Sequence, residues 1–252
     1  MVKSSLKAPF LKSIQVLPDR IERNSFPFNA IPFLSEDGFE VRFDSPITIF
    51  VGENGTGKST VLEAIAALAG FHAGGGSHSH QLHRTSEQES SSLAKALRAS
   101  WLPKVSKGFF FRSDTFAEVT RYIDDEGLGS GSGPFAERSH GEAFLHLFIE
   151  RFNARDRCLY LLDEPEAAFS PSRQLAFMRI MREWEKSGNA QIIMVTHSPI
   201  LMSYPGATLL NFDKDGITPI IYEETEHFKV TKAFLNNPEK HLSQVLSDQA
   251  DE

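Results

Sequence analysis

Residues 52–59 read GENGTGKS, and this run decides the fold. It fits the pattern G-x-x-x-x-G-K-[ST], and its flanks supply the context that the pattern needs. A β-type run, Pro46 to Val51, leads into it, and a helical run, Ser59 to Ala69, leaves it. Within the helix Val61, Leu62, Ile65, Leu68 and Ala69 recur at spacings of three and four and share one face. Gly52, Gly55 and Gly57 let the backbone wrap closely, so that loop N–H groups and the helix N-terminus point at phosphate oxygens. Glu53, Asn54 and Thr56 fill the rest of the loop, and Thr60 follows it into the helix. Lys58 is placed to reach β- and γ-phosphates, and the Ser59 hydroxyl to ligate Mg²⁺.

Further along, CLYLLDEPE spans 158–166. An apolar strand ending in Asp163-Glu164 sets two carboxylates at the carboxyl edge of a sheet, where open α/β sheets bind ligands. Asp163 fits a holder of Mg²⁺ through water, and Glu164 a general base that polarises the attacking water. Taken alone, the two acids could equally cap a turn before Pro165. The run IIMVTHSP at 192–199 ends another apolar strand in His197, whose imidazole could bond a γ-phosphate or the lytic water, or could serve as a structural cap of a helix starting near Ser198.

Strand-like and helix-like segments alternate over the whole chain, which predicts an α/β fold with a substantially parallel sheet. Leu11 to Leu17 reads as a first strand, and Phe39 to Phe43 with Pro46 to Val51 as a hairpin entering the glycine-rich loop. Gly70 to Ser92 reads as a long exposed Gly/Ser/His loop, Leu93 to Leu102 as a helix, and Gly108 to Arg112 as a buried strand. Asp114 is a candidate N-cap for a helix to Asp124, and Ser139, with Glu142 at the capping-box position, for a helix to Asn153. Ser172 to Lys186 is helical and ends at Ser187-Gly188-Asn189. Two short strands and a polar helical tail close the chain.

The 252 residues suit one domain, 1–252, with residues 93–153 as a helical subregion and 70–92 as a loop. A composition of 40% hydrophobic and 23% charged residues excludes wholesale disorder. Phe is far commoner than Tyr or Trp, 21 against 4 and 2, and rings without a polar handle are expected in the core. The single cysteine, Cys158, excludes an intramolecular disulfide framework and a Cys-rich zinc site. No apolar run is long enough to cross a membrane, and Met1 to Phe10 lacks a signal-peptide core, so a cytoplasmic protein without direct membrane insertion is expected. The net charge of −7 gives no global footprint for nucleic acid. The stretch from Lys95 to Arg121 runs against that average, with Lys95, Arg98, Lys104, Lys107, Arg112 and Arg121 against only Asp114 and Glu118. It could touch phosphates, or simply be a solvated face with Arg112 toward the nucleotide.

Together these segments resemble the ATP-binding-cassette (ABC) ATPases, in the branch that holds the chromosome-maintenance and double-strand-break-repair ATPases. Closer still is the similarity to the short stand-alone bacterial "predicted ATPase", or AAA family ATPase, group, which shows segments like SHGEAF, LLDEPEAA, THSPIL and YPGA, and a closing stretch like Glu226 to Glu239. The resemblance implies a P-loop ATPase with a mixed central sheet, flanking helices and a small helical subdomain that carries a signature motif. It implies that Gly52 to Ser59 is Walker A, Asp163 the Walker B acid, Glu164 the catalytic glutamate, His197 the switch histidine, and Ala168 to Ser172 the D-loop. ERSHGEAF at 137–144 takes the signature position, with Ser139 and Gly141 matching the family's Ser and second Gly. In that family these residues contact the γ-phosphate held by another subunit, so an ATP-induced head-to-tail homodimer is implied.

This chain departs from the family in three places. His140 stands where many transporter subunits have Gly, the signature lacks its leading Leu, and Phe111-Arg112-Ser113-Asp114 shows no Q-loop glutamine. It also has no coiled-coil insertion. These features favour a soluble ATPase in DNA maintenance or defence, with nucleic acid or a protein as partner. A transporter's nucleotide-binding subunit, or a nucleotide switch with negligible turnover, is the alternative. Two smaller questions stay open. Phe26 and Phe28 are candidates for the adenine contact. His72, His78, His80 and His83 could bind a transition metal or be a solvated loop.

Overall fold

The computed structural model of the chain describes residues 6–36, 38–71, 75, 92–114 and 156–247. Three mostly apolar strands are buried at every position: β3 (Ile47–Val51), β6 (Cys158–Asp163) and β7 (Ala190–Val195). Such strands need cover on both faces, which is the condition of a parallel sheet sandwiched between layers. They form the middle of a six-stranded sheet together with β5 (Gly108–Arg112), β8 (Thr208–Asp213) and β9 (Gly216–Ile220), in the order β5-β6-β7-β3-β8-β9. All neighbours are parallel except the terminal pair β8 and β9, so the sheet is mixed, as the resemblance implies, and substantially parallel, as the alternation of segments predicts.

Alternate residues of each strand go to opposite faces. Phe50, Leu161, Ile193, Val195 and Phe212 pack with α1 (Lys58–Ala69) on one side. Ile49, Tyr160, Leu162 and Met194 pack on the other with Phe177, Met181 and Trp184 of α3 (Pro171–Ser187). Gly188, in the left-handed conformation, ends α3 where the sequence places its stop. The rings of Phe10, Phe43, Phe50, Phe110, Phe111, Phe177 and Phe212 are among the largest fully buried side chains, in line with the expectation from composition.

Two local readings are corrected. Residues 39–51 do not form a hairpin. β2 (Glu40–Arg42) pairs with β1 (Leu11–Val16) in a separate three-stranded antiparallel sheet, whereas β3 enters the central sheet. The periodicity explains the split, because β2 mixes buried and exposed positions and β3 has none to expose. Nor is 93–102 one helix. A short α2 (Ser92–Ala96) gives way to β4 (Leu97–Trp101), which pairs with β1. Leu97, Ala99 and Trp101 turn inward while Arg98 and Ser100 turn out, and this period of two prevails over the helix propensity of an Ala/Leu/Lys/Arg stretch.

One buried amide ties the two sheets together. Gln191 on β7 accepts from the N–H groups of Phe10 and Leu11, both at 2.8 Å, and donates to the Leu11 carbonyl at 3.0 Å. The chain closes with α4 (Pro199–Met202), α5 (Glu226–Asn236) and α6 (Pro238–Leu246), of which the last two bury no residue. No described helix is long and apolar enough to cross a membrane.

Candidate functional site

Parallel strands bring their carboxyl ends to one edge, and the register makes that edge level. Arg112 of β5 lies opposite Asp163 of β6, which lies opposite Val195 of β7, and Phe50 of β3 also lies opposite Val195. The residues that follow these ends form the site.

The loop after β3 is held by sterics. Gly52 has φ +130°, and a Cβ there would stand 2.2 Å from the carbonyl oxygen of Phe212. Gly57 begins α1 at φ +93°, and a Cβ would stand 2.7 Å from Ile31 Cδ1. Both positions therefore demand glycine. The Lys58 ammonium is folded back into the loop and donates to the carbonyls of Gly52 at 2.8 Å and Glu53 at 2.6 Å. Burial lowers its pKa, and the negative charge of Glu164 opposes that shift.

Ser59 reaches across to the neighbouring strand end, where its Oγ donates to Asp163 Oδ1 at 2.9 Å. Burial pushes the Asp163 carboxyl up to about 6, against the Ser59 hydrogen bond and the Arg112 charge. A raised carboxyl pKa means that the folded state holds the proton more tightly than the unfolded chain does. Wild-type stability is therefore expected to fall as pH rises from about 4 to 6. Asp163→Asn removes that loss and should stabilise the nucleotide-free protein by about 3 kcal/mol above pH 6, and by little below pH 4. Urea titrations of both proteins at several pH values check this.

Glu164 adopts φ 50° and ψ 55°, the sole described non-glycine residue with positive φ. This left-handed turn costs of order 1 kcal/mol and lifts the side chain, 43% exposed, off the strand toward the edge. His197 faces it, with Nε2 at 3.8 Å from Glu164 Oε1. Burial, followed by the nearby Lys58 charge, lowers the His197 pKa and favours the neutral ring. Around this pair the structure adds groups that the sequence reading did not single out. Glu166 Oε1 accepts the backbone N–H of His197 at 2.5 Å. Ser198 Oγ donates to Gln174 Oε1 at 2.5 Å and accepts from the N–H groups of Ile200 and Leu201, so it caps α4 while fixing the turn. The cap of this helix is thus Ser198 itself, which leaves the His197 ring to the site. His227, at the start of α5, meets His197 Nδ1 through its Nε2 at 2.8 Å. The DEPE run could have drawn attention to Glu166. Nothing local marks His227, since 30 residues separate it from its partner.

Comparison with known proteins fits this geometry. Residues 27–116, which contain the glycine loop, match the family model described as "AAA domain", and residues 142–203, which contain Asp163 and His197, match "AAA domain, putative AbiEii toxin, Type IV TA system". Among curated proteins the chain is 28% identical over 195 residues to the hemin import ATP-binding protein HmuV of Rhodococcus jostii (strain RHA1), and 28% identical over 193 residues to HmuV of Streptomyces coelicolor. Both matched stretches are of the AAA-domain type, on the fold of a P-loop NTPase. The two HmuV alignments each take in 69% of this chain but only 64% and 67% of those relatives, so the chain spans about two thirds of their length. Solved structures similar to the chain include cbiO1 from Clostridium perfringens, part of the ABC transporter complex cbiONQ, at 17% identity over 93% of this chain and 99% of that one (TM-score 0.47). Another is the SMC head domain from Thermotoga maritima, at 16% identity over 84% and 99% (TM-score 0.46).

Several features expected from the sequence fall outside the described residues: Ser139, Gly141, the helices from Asp114 and Ser139, and His72, His78, His80 and His83. Of the adenine candidates, Phe28 is packed in the core and offers no face, while Phe26 is 63% exposed. Two described members of the basic stretch, Lys107 and Arg112, lie at opposite ends of β5. Lys107 sits at the amino end of β5 and pairs with Asp156 at 2.8 Å. Arg112 sits at the opposite end, paired with Glu63 at 2.5 Å and Asp114 at 3.0 Å.

Proposed function

We propose that the chain hydrolyses ATP with Mg²⁺ at this edge, in an ATP-induced head-to-tail homodimer, and that it acts as a soluble cytoplasmic ATPase in DNA maintenance or defence. The observation that carries the catalytic part is the convergence of the phosphate loop and two strand ends. Lys58 and Ser59 from the phosphate loop meet Asp163, Glu164 and His197 from two strand ends, with Ser59 Oγ already 2.9 Å from Asp163 Oδ1. A serine hydroxyl and a carboxylate are hard oxygen donors that suit a cation which keeps most of its waters, so Ser59 and Asp163 would hold Mg²⁺. When bound, Mg²⁺ would offset the negative charge of the phosphates.

This chain's own groups supply the rest. The N–H groups of residues 52–60 wrap the phosphates. Lys58 exchanges its two carbonyl partners for β- and γ-phosphate oxygens, which returns the energy of an otherwise desolvated ammonium. Glu164 accepts the proton of the attacking water, and His197 bonds the γ-phosphate or that water. Ser139 and Gly141 from a second protomer would complete each site from the opposite side.

A second reading is the nucleotide-binding subunit of a membrane transporter, which the two HmuV relatives favour. The altered signature, ERSHGEAF, and an Arg112 ion pair where the Q-loop glutamine would stand favour the soluble role. Phosphate release measured with and without double-stranded DNA separates them. DNA is expected to stimulate release several-fold. Release that ignores DNA, from protein that co-purifies with a permease, would support the transporter instead.

A further inference from the structure

We infer that His227 is a positioning residue for this site. By donating its Nε2–H to Nδ1 of His197, it holds the His197 ring in the tautomer that carries its proton on Nε2, facing Glu164 and the seat of the γ-phosphate. The inference rests on the proposed placement of that phosphate, but its structural part stands on the histidine pair itself.

The two ring nitrogens lie 2.8 Å apart, with ring centroids 5.0 Å apart and planes at 51°. At that separation one nitrogen donates and the other accepts, so the pair has two arrangements. The surroundings choose between them. His197 Nε2 is buried without a hydrogen-bond partner among the described residues, and it faces the Glu164 carboxylate, with Oε1 at 3.8 Å. A carboxylate only accepts, so a proton on Nε2 is favoured there and a lone pair is opposed. Nδ1 must then accept, and His227 is its donor. An unpartnered buried N–H beside the phosphate loop is also what a γ-phosphate oxygen would satisfy.

His227 can do this because its own position is set independently. It follows Thr225, which is 2% exposed and caps α5 by accepting from the N–H of Phe228 at 3.3 Å while donating to the carbonyl of Tyr222 at 2.7 Å. The Tyr222 and Phe228 rings pack at 4.6 Å and brace the same turn. From there His227 also borders a cleft of about 320 Å³ with Gly52, Glu53 and Thr56 of the phosphate loop and Asn211 and Asp213 of β8. The backbone of His197 is pinned separately by Glu166, so the contact with His227 governs the ring and not the strand.

The test uses the full chain. Long-range proton–nitrogen spectra of ¹⁵N-histidine protein report the tautomer, with the His197 signals assigned by their loss in His197→Asn. Wild type is expected to show a protonated Nε2 and an acceptor-type Nδ1 on His197. His227→Phe should mix the tautomers and lower kcat about 10- to 100-fold, with KM for ATP changed less than about twofold. His227→Gln, whose amide reaches the place of Nε2, should restore both tautomer and rate. His227→Asn, whose amide stops at the place of Nδ1, should not. Should His227→Phe fail to fold, the Gln and Asn variants still carry the comparison. A wild-type His197 protonated on Nδ1, or a tautomer unchanged by all three substitutions, overturns the inference. A tautomer that shifts while kcat stays constant supports the pairing and instead overturns the assignment of His197 to hydrolysis.

Discussion

Glu164→Gln is expected to lower phosphate release by 10²- to 10⁴-fold, the usual contribution of a general base, while ATP still binds. Glutamine keeps the shape and length of the side chain but accepts no proton from water. The substitution also leaves untouched the groups that would hold the nucleotide, since Lys58, Ser59 and Asp163 make their hydrogen bonds without Glu164. ATP should therefore persist in the site, and with it the contact that ATP makes between protomers. Light scattering at saturating ATP should show a doubling of mass for the variant and only a transient dimer for the wild type. A variant that stays monomeric would sink the composite site, and one that hydrolyses at the wild-type rate would remove Glu164 from the chemistry.

Lys58→Ala should act one step earlier and weaken ATP binding itself, by about 10²- to 10³-fold. Charge-assisted hydrogen bonds contribute roughly 1.5–3 kcal/mol each, and the ammonium would make at least two to phosphate oxygens. Its burial sharpens the effect, because at 4% exposure no water molecule takes its place easily. The nucleotide-free fold should tolerate the change, since the loop conformation is set by Gly52 against Phe212 and Gly57 against Ile31. Calorimetric titration with ATP decides. Affinity within about threefold of wild type would mean that the phosphates lie elsewhere.

The central sheet was legible because its signals are local. Five-residue apolar runs ending in charged or polar residues read directly as buried strands with functional ends, and a glycine pattern between strand and helix names its own geometry. The failures share the opposite property. Whether 39–51 is a hairpin depends on what β2 finds to pair with, and its partner, β1, lies 25 to 29 residues away. Residues 97–101 have a helix-former composition, and only their pairing with β1 makes them a strand. At the site, Lys58, Ser59, Asp163, Glu164 and His197 carry motif spacing. Gln174 and His227 become visible only once the chain is folded, because their roles are contacts with residues from other elements.

The buried amide of Gln191 has a consequence at the far end of its strand. Gln191 anchors β7 to the antiparallel sheet, and Glu166 grips the chain again at His197, so this strand is a strut clamped at both ends with every residue between them buried. α5, by contrast, buries nothing along its length and is moored mainly at its first turn. Stiffness is therefore distributed unequally across the histidine pair: one ring is mounted on the frame and the other on a lever. Force from anything that binds the outer helices would reach the ATP-binding edge by tilting His227 against a fixed His197, not by sliding the strand that bears it.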